Sequence, residues 1–312
     1  MKVLSLFDGM ACGMLAMTAA GVDVDEYDAY EIDEHATRTA THNFPMITEH
    51  GDVFTEDFTK YENVDYLIGG SPCTRWSIAR GTRGRETEAS GIGWELFSQY
   101  ARALREARPR YFIYENNKSM SPAIREQISN AFGFDAVSIN SGLVSAQERH
   151  RLYWVGHRKE DGTGYEKVEV AQPDDRGLVL RDILEPADRI NEKMWYSCGF
   201  ELTGKSSGNV AMLNLPGHWD ILRRVYSPDY KSPTLTTRIS ANVMQDGRPR
   251  KVTVSECKRL QTIPEWYEFP VTDAQAYKML GNGWTVEVIA HLIRETRKGH
   301  QPEQEDDDAW MF

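Results

Sequence analysis

Cysteine is scarce and scattered in this chain: four residues in 312, at positions 12, 73, 198 and 257. None of them forms a Cys-x-x-Cys pair, which excludes a zinc knuckle or a disulfide framework and leaves four expected free thiols. Long apolar runs are missing as well. Nothing approaches the roughly 20 residues that cross a bilayer, so a membrane-spanning protein is excluded. The amino-terminal run 1–7 meets Asp8 too soon for a secretory leader, and a reducing intracellular compartment, cytoplasm or nucleoid, is expected. An excess of base is also lacking: 36 Lys and Arg face 47 Asp and Glu, a net charge of −11, which by itself argues against a polyanionic partner. The sum hides an uneven distribution. The end of the chain, 301–312, carries Glu303, Glu305, Asp306, Asp307 and Asp308 with no base and reads as a disordered acidic tail. Arg75, Arg80, Arg83 and Arg85 cluster, as do Arg102, Arg105, Arg108 and Arg110. They form either a basic face on an acidic protein or surface ion pairs with Glu86, Glu88, Glu95 and Glu106.

What is present is a repeated alternation of apolar strands and helices, in a chain that is 40% hydrophobic and long enough for one large core plus a smaller lobe. Residues 2–7 read as a strand, 12–20 as a helix closing at Gly21, 27–32 as a strand and 33–43 as a helix. Strands at 66–70 and 110–115 follow, with helices at 94–107 and 122–131. Such alternation predicts an α/β fold with a doubly wound, mostly parallel sheet. In that architecture ligands bind beyond the carboxyl ends of the strands, where Asp8, Glu31, Cys73 and Glu115 all fall. Segments 134–140 and 151–157 read as a closing strand pair. The alternation stops near Arg158, and helices return at 274–280 and 285–297. The expected organisation is a catalytic domain of 1–158 plus 274–300, with 159–273 as a smaller irregular lobe.

The chemistry-bearing residues start at Gly70-Ser71-Pro72-Cys73. A lone thiol after a strand is either an apolar filler or a nucleophile held in a stiff turn, and neighbouring Arg75 favours the thiolate. Glu115, in Tyr114-Glu115-Asn116-Asn117, is either a loop acid or a carboxylate presented at a strand end. Arg149 and Arg151 fall on one face if the chain is extended there, as a solvated ion-pair face or as part of a site.

In their order, these segments resemble the cytosine-5 DNA methyltransferase family, in wording closer to its de novo subgroup than to the usual restriction-modification enzymes. Residues 4–13 (Leu-Ser-Leu-Phe-Asp-Gly-Met-Ala-Cys-Gly) match its first motif, Tyr30-Glu31-Ile32-Asp33 the second, Gly51-Asp52-Val53 the third and Gly69-Gly70-Ser71-Pro72-Cys73 the fourth. Glu115-Asn116 matches the sixth, Gln147-x-Arg149-x-Arg151 the eighth, 232–238 with Glu256-x-x-Arg259-Leu260-Gln261 the ninth, and Gly281-Asn282-Gly283-Trp284 the tenth. The resemblance implies a Rossmann-like domain that uses S-adenosylmethionine, releases S-adenosylhomocysteine, needs no metal and acts on double-stranded DNA. The rival readings are an RNA cytosine methyltransferase and a non-catalytic regulatory homologue. By resemblance, Cys73 adds to C6 of a flipped cytosine, Glu115 meets N3 and the exocyclic amine, Arg151 meets O2, and Arg149 orients Glu115. The donor is expected against Phe7, Asp8, Gly9, Cys12, Glu31, Ile32, Asp52, Val53, Ser71, Pro72, Asn282 and Trp284.

The DNA is expected against Arg75, Trp76, Ile78, Arg80, Arg83 and Arg238, with Trp76 either filling the vacated stack or packing under its loop. Arg223, Arg224 and Lys231 are further expected DNA contacts. Lys118 places a cation near the expected position of the transferred group and raises an acid-bearing donor analogue as an alternative. Nothing precedes the first motif, so a minimal catalytic unit is expected.

Overall fold

The computed structural model describes residues 1–72, 75–77, 84–206, 208–237 and 241–298. The first half alternates as expected: β1 (Lys2–Leu6), α1 (Cys12–Ala19), β2 (Glu26–Tyr30), α2 (Glu34–Asn43), β3 (Thr48–Glu49), β4 (Tyr66–Gly69), α3 (Gly91–Ala107), β5 (Tyr111–Asn117) and α4 (Pro122–Phe132). β6 (Val137–Asn140), β7 (His150–Arg158) and β8 (Tyr165–Lys167) complete one sheet, in the order β3-β2-β1-β4-β5-β7-β6 with β8 on β7. β3, β2, β1, β4 and β5 run parallel, and β7 is antiparallel to β5, β6 and β8. The chain winds outward from β1 to β3 and then returns to the other side of β1 at β4. This reversal opens the crevice in which such sheets bind ligands.

Both faces of the sheet are covered, and alternate residues of each strand go to opposite sides. Tyr111 and Ile113 of β5 join a core with α1, while Phe112 and Tyr114 join a second core with α3 and α4. Local chemistry sets the helix ends. Asp33 accepts from His35 N at the start of α2. Ser121 caps α4 by accepting from Ile124 N, with Pro122 in the first turn and Gly133 left-handed at the close.

Where the alternation stops, the chain builds a second sheet of short strands: β9 (Phe200–Leu202), β10 (Asn209–Leu213), β11 (Arg224–Tyr226, entered from the short helix α5, Asp220–Arg223), β12 (Asn242–Gln245) and β13 (Arg248–Lys251). Helix α6 (Val254–Leu260), which the sequence pattern did not reveal, follows. α7 (Asp273–Asn282) and α8 (Val286–Lys298) return to the main sheet, where α8 packs on α1. The second sheet is tied down by a buried ion pair: both Nη atoms of Arg250 reach the two oxygens of Glu256, at 2.8 and 2.6 Å, with neither side chain exposed. Glu256 also closes the capping box of α6 through Thr253 N.

Candidate active site at the carboxyl edge of the sheet

The turn between β1 and α1 is unusually constrained. Phe7, Gly9 and Ala11 all have positive φ (58°, 64° and 59°), a conformation costly for Phe and Ala that the surrounding packing must impose. The turn places Asp8 in a buried position, where Oδ1 accepts from the Ser5 and Tyr27 hydroxyls at 2.5 and 2.6 Å and Oδ2 has no partner. Loss of water pushes the Asp8 carboxyl up to about 6. Gly9 N donates to Glu31 Oε2 at 2.9 Å, and the other Glu31 oxygen accepts from Ile32 N and Asp33 N. Glu31 lies one residue beyond β2, and the Ile32 side chain beside it is 76% exposed. Cys12 is buried at the start of α1, its thiol pushed up to about 12 by burial. Asp52 caps a short turn through Phe54 N, and Val53 is buried. These residues bring the expected donor-site positions of the first three motifs to one edge.

The neighbouring strands supply a second group. Glu115 lies inside β5, which runs on to Asn117, instead of at a strand end. One of its oxygens faces Arg151 Nε at 3.0 Å and the other accepts from Trp284 Nε1 at 3.0 Å. The register pairs Glu115 with Tyr153 and Asn117 with Arg151, so Arg151 is a diagonal neighbour of Glu115 on the same face. The guanidinium beside Glu115 is therefore that of Arg151, where the resemblance had assigned Arg149. Arg149 lies one residue before β7, is buried, and donates to the carbonyls of Leu235, Gly281 and Gly283 at 3.1, 3.2 and 2.9 Å. Gly70 leaves the room this carboxylate needs: a Cβ there would stand 2.8 Å from Glu115 Oε2. Ser71 is buried with its hydroxyl 2.6 Å from that of Tyr114, Asn116 donates to both Ser71 O and Tyr114 Oη, and Pro72 is exposed. Asn282 is exposed, next to the half-buried Trp284.

The sequence did not reveal the network that holds this group. Gln147 is fully buried, donates to Leu260 O and Gln261 Oε1, and accepts from Leu235 N. Gln261 in turn donates to Leu280 O and Gly283 O and accepts from Thr285 Oγ1. Segments more than a hundred residues apart are thereby locked together behind Trp284. Gln147 and Gln261 were legible as motif positions; that their amides bind each other was not.

The basic residues fare differently. Trp76 is fully buried and donates to Glu86 Oε2 at 3.2 Å, so it packs under its loop and is not poised to fill a stack. Arg75 is half-buried. Arg85 holds Ser119 O and Trp76 O, and Arg102 pairs with Glu106 and reaches the carbonyls of Val53 and Glu56. The second arginine cluster is thus no free basic face at Arg102. Lys231 is engaged by the carbonyls of Gly142, Ser145 and Leu178, Arg223 by Leu213 O, and Arg224 by Asp220. These internal bonds explain why basic residues in this lobe do not by themselves mark a DNA surface. Lys118 is exposed. Cys73, Ile78, Arg80, Arg83, Arg238 and the acidic tail 301–312 lie outside the described residues.

Compared with known families, residues 1–298 match the one described as C-5 cytosine-specific DNA methylase. Among curated relatives, the Type II methyltransferase M1.ScrFI of Lactococcus lactis subsp. cremoris is 28% identical over 94% of this chain and 77% of that protein. The Type II methyltransferase M.FnuDI of Fusobacterium nucleatum is 26% identical over 95% of both. The same fold occurs in the methyltransferase EhMeth of Entamoeba histolytica (TM-score 0.71, 14% identity, 96% of this chain and 99% of that one). It occurs also in a putative DNA modification methyltransferase of an Escherichia coli prophage (TM-score 0.68, 21% identity, 95% and 98%). A family match from the first residue to 298, on a doubly wound sheet with acids gathered at its carboxyl edge, places the chain: it belongs to the C-5 cytosine-specific DNA methylase family and is a DNA cytosine-5 methyltransferase that uses S-adenosylmethionine.

Proposed function

We propose that the carboxyl edge divides into a donor end, at β1 to β3, and a base end, at β5 and β7, and that it methylates a cytosine flipped out of duplex DNA. The observation that carries this reading is the Glu115 carboxylate held between Arg151 Nε and Trp284 Nε1, each at 3.0 Å. A group fixed in this way can meet N3 and the exocyclic amine of a flipped base without reorganising as charge develops on the ring. Arg151 Nε and Nη1 are engaged, by Glu115 and His150 O, so a contact to O2 of the base falls to Nη2. Arg149 acts at one remove, holding the carbonyls of the segments that carry Trp284. Cys73 supplies the sulfur that adds to C6 across the C5–C6 double bond; after the methyl group joins C5, the C5 proton is lost to solvent, the double bond re-forms and the thiolate leaves.

The residues at the donor end fit S-adenosylmethionine: Asp8 Oδ2 awaits a partner, Glu31 follows β2 where ribose hydroxyls are bound in such sheets, and Ile32 offers an exposed apolar face for the adenine. When bound, this group supplies an electrophilic methyl on a sulfonium. Phe7, Gly9 and Ala11 shape the turn that receives it, Asp52 and Val53 frame the adenine, and Asn282 closes the site from the C-terminal side. The five-stranded sheet of 200–251 is the proposed target-recognition lobe. Arg75, Ile78, Arg80, Arg83 and Arg238 are the proposed DNA contacts.

Incubation with labelled donor and either duplex DNA or tRNA, followed by bisulfite sequencing, tests the assignment. Cytosine-5 methylation of the duplex, abolished by Cys73→Ser, is expected; stronger transfer to tRNA would overturn the duplex reading.

A further inference from the structure

Among the described residues, three buried side-chain polar atoms lack a hydrogen-bond partner: Asp8 Oδ2 and both carboxyl oxygens of Glu49. The register explains where Glu49 points. Ser5, Ala29 and Glu49 stand side by side across β1, β2 and β3, on the face of the sheet that α1 covers. Ser5 at one end of this row bonds Asp8, and Ala29 puts only a methyl group between Ser5 and Glu49. Glu49 lies outside the Gly51-Asp52-Val53 motif, and none of the roles proposed above uses it.

A carboxylate without water or a partner is costly to ionise. Burial, followed by the like charges of Asp8 and Glu31, pushes Glu49 up to about 8. The other groups nearby do not offset this. The Tyr27 hydroxyl and the Cys12 thiol, on the Asp8 side, are both driven toward their neutral forms by burial. Glu31 is engaged by three backbone N–H groups. His50, the next residue along, turns to Asp28 at 2.6 Å and stacks on Tyr30. Among the described residues no cationic side chain acts on Glu49. What this corner lacks is positive charge.

We propose that Glu49 is a proton-carrying residue of the donor site: it is neutral in the free protein and ionises when the ammonium of the donor's amino-acid end enters beside Asp8, so that donor binding releases a proton. The carboxylic O–H bond of Glu49 breaks, its proton goes to solvent, and the carboxylate left behind faces the incoming cation; no electrons are exchanged. This inference rests on the reading of the edge as the S-adenosylmethionine site.

Calorimetric titration of the full chain with S-adenosylhomocysteine at pH 7.5, in phosphate and in Tris, gives the number of protons released from the difference in buffer ionisation heat. The wild type is expected to release about half a proton or more per ligand, and Glu49→Gln at least about fivefold less; taking the difference between the two proteins cancels any proton exchange by the ligand's own amine. Binding by the wild type without proton release, or equal release by Glu49→Gln, would overturn the role of Glu49. Complete failure of the ligand to bind would instead overturn the donor-site reading on which it rests. Should Glu49→Gln not fold, the wild type decides alone. Its proton release should disappear by pH 9.5, where Glu49 is already ionised, and release that persists there unchanged excludes the proposal.

Discussion

The donor end and the base end proposed for the carboxyl edge are built on opposite principles. The base end joins Glu115 to Trp284, 169 positions away in sequence, and among the described residues none of the unpartnered buried atoms lies there. Apart from Asn282, the donor end is assembled from residues close in sequence, with Gly9 bonded to Glu31 only 22 positions on, and it contains the three unpartnered atoms found among the described residues. On the proposed reading, the difference follows from what each end must do. A group that stabilises charge developing on a base acts best when it is already in place, because reorganisation during the reaction would raise the barrier. An end that binds a cationic ligand can leave polar groups unmatched, since the ligand brings the missing partner.

The largest test of this contrast removes the chemistry and leaves both ends intact. Cys73→Ser is expected to lower methyl transfer by about 10⁴-fold or more, with S-adenosylhomocysteine affinity unchanged by calorimetry; a 5-fluorocytosine duplex should trap the wild type and not the variant. Next in size is the buried amide network. Gln261→Met removes the donor to the Leu280 carbonyl and the acceptor of the Thr285 hydroxyl, and one of the two partners of both the Gly283 carbonyl and the Gln147 amide, and should cost about 2–4 kcal/mol in denaturant unfolding. If the base end is preorganised as described, the same variant loses activity before it loses donor affinity. Trp284→Phe keeps an aromatic ring, though a smaller one, and removes one donor to Glu115. Steady-state kinetics should show a fall in kcat of about tenfold, near 1.4 kcal/mol, with little change in KM for the donor.

The smallest effect is in pH dependence of the ligand-free protein. Asp8 and Glu49 are both raised by folding, to about 6 and about 8. The folded state therefore holds these protons more tightly than the unfolded chain. The stability they contribute is fully present below the unfolded values near 4 and is lost as pH rises through 6 and then 8. Melting temperatures of the wild type should fall more steeply between pH 5 and 8.5 than those of Glu49→Gln, whose remaining loss is centred on Asp8. Parallel profiles would show that the donor end is not strained by unmatched acids.

Much of the frame was legible along the chain. β1, β4 and β5 are apolar runs buried on both faces, and runs of this kind, separated by amphipathic or capped helices, leave few options besides a doubly wound sheet. Glu31 and Glu115 could be singled out because acids at the end of apolar strands are unusual. β3 was missed because a strand of two residues has no period to read, and the second sheet because its short strands sit in loop-like composition. Trp76 and Arg102 show a different limit: side-chain type in a sequence does not say whether a group faces solvent or a neighbouring carbonyl.

By itself, then, the order of strands, helices and motif residues determined the α/β class, the family and the edge at which the chemistry is proposed, because hydrophobic period and turn chemistry are local properties. Only the tertiary structure decided that Arg151 and not Arg149 meets Glu115, that Trp284 holds the other oxygen, and that Glu49 stands unpartnered near Asp8. Those facts depend on strand register and on contacts between distant segments, and both are fixed only when the whole core packs at once.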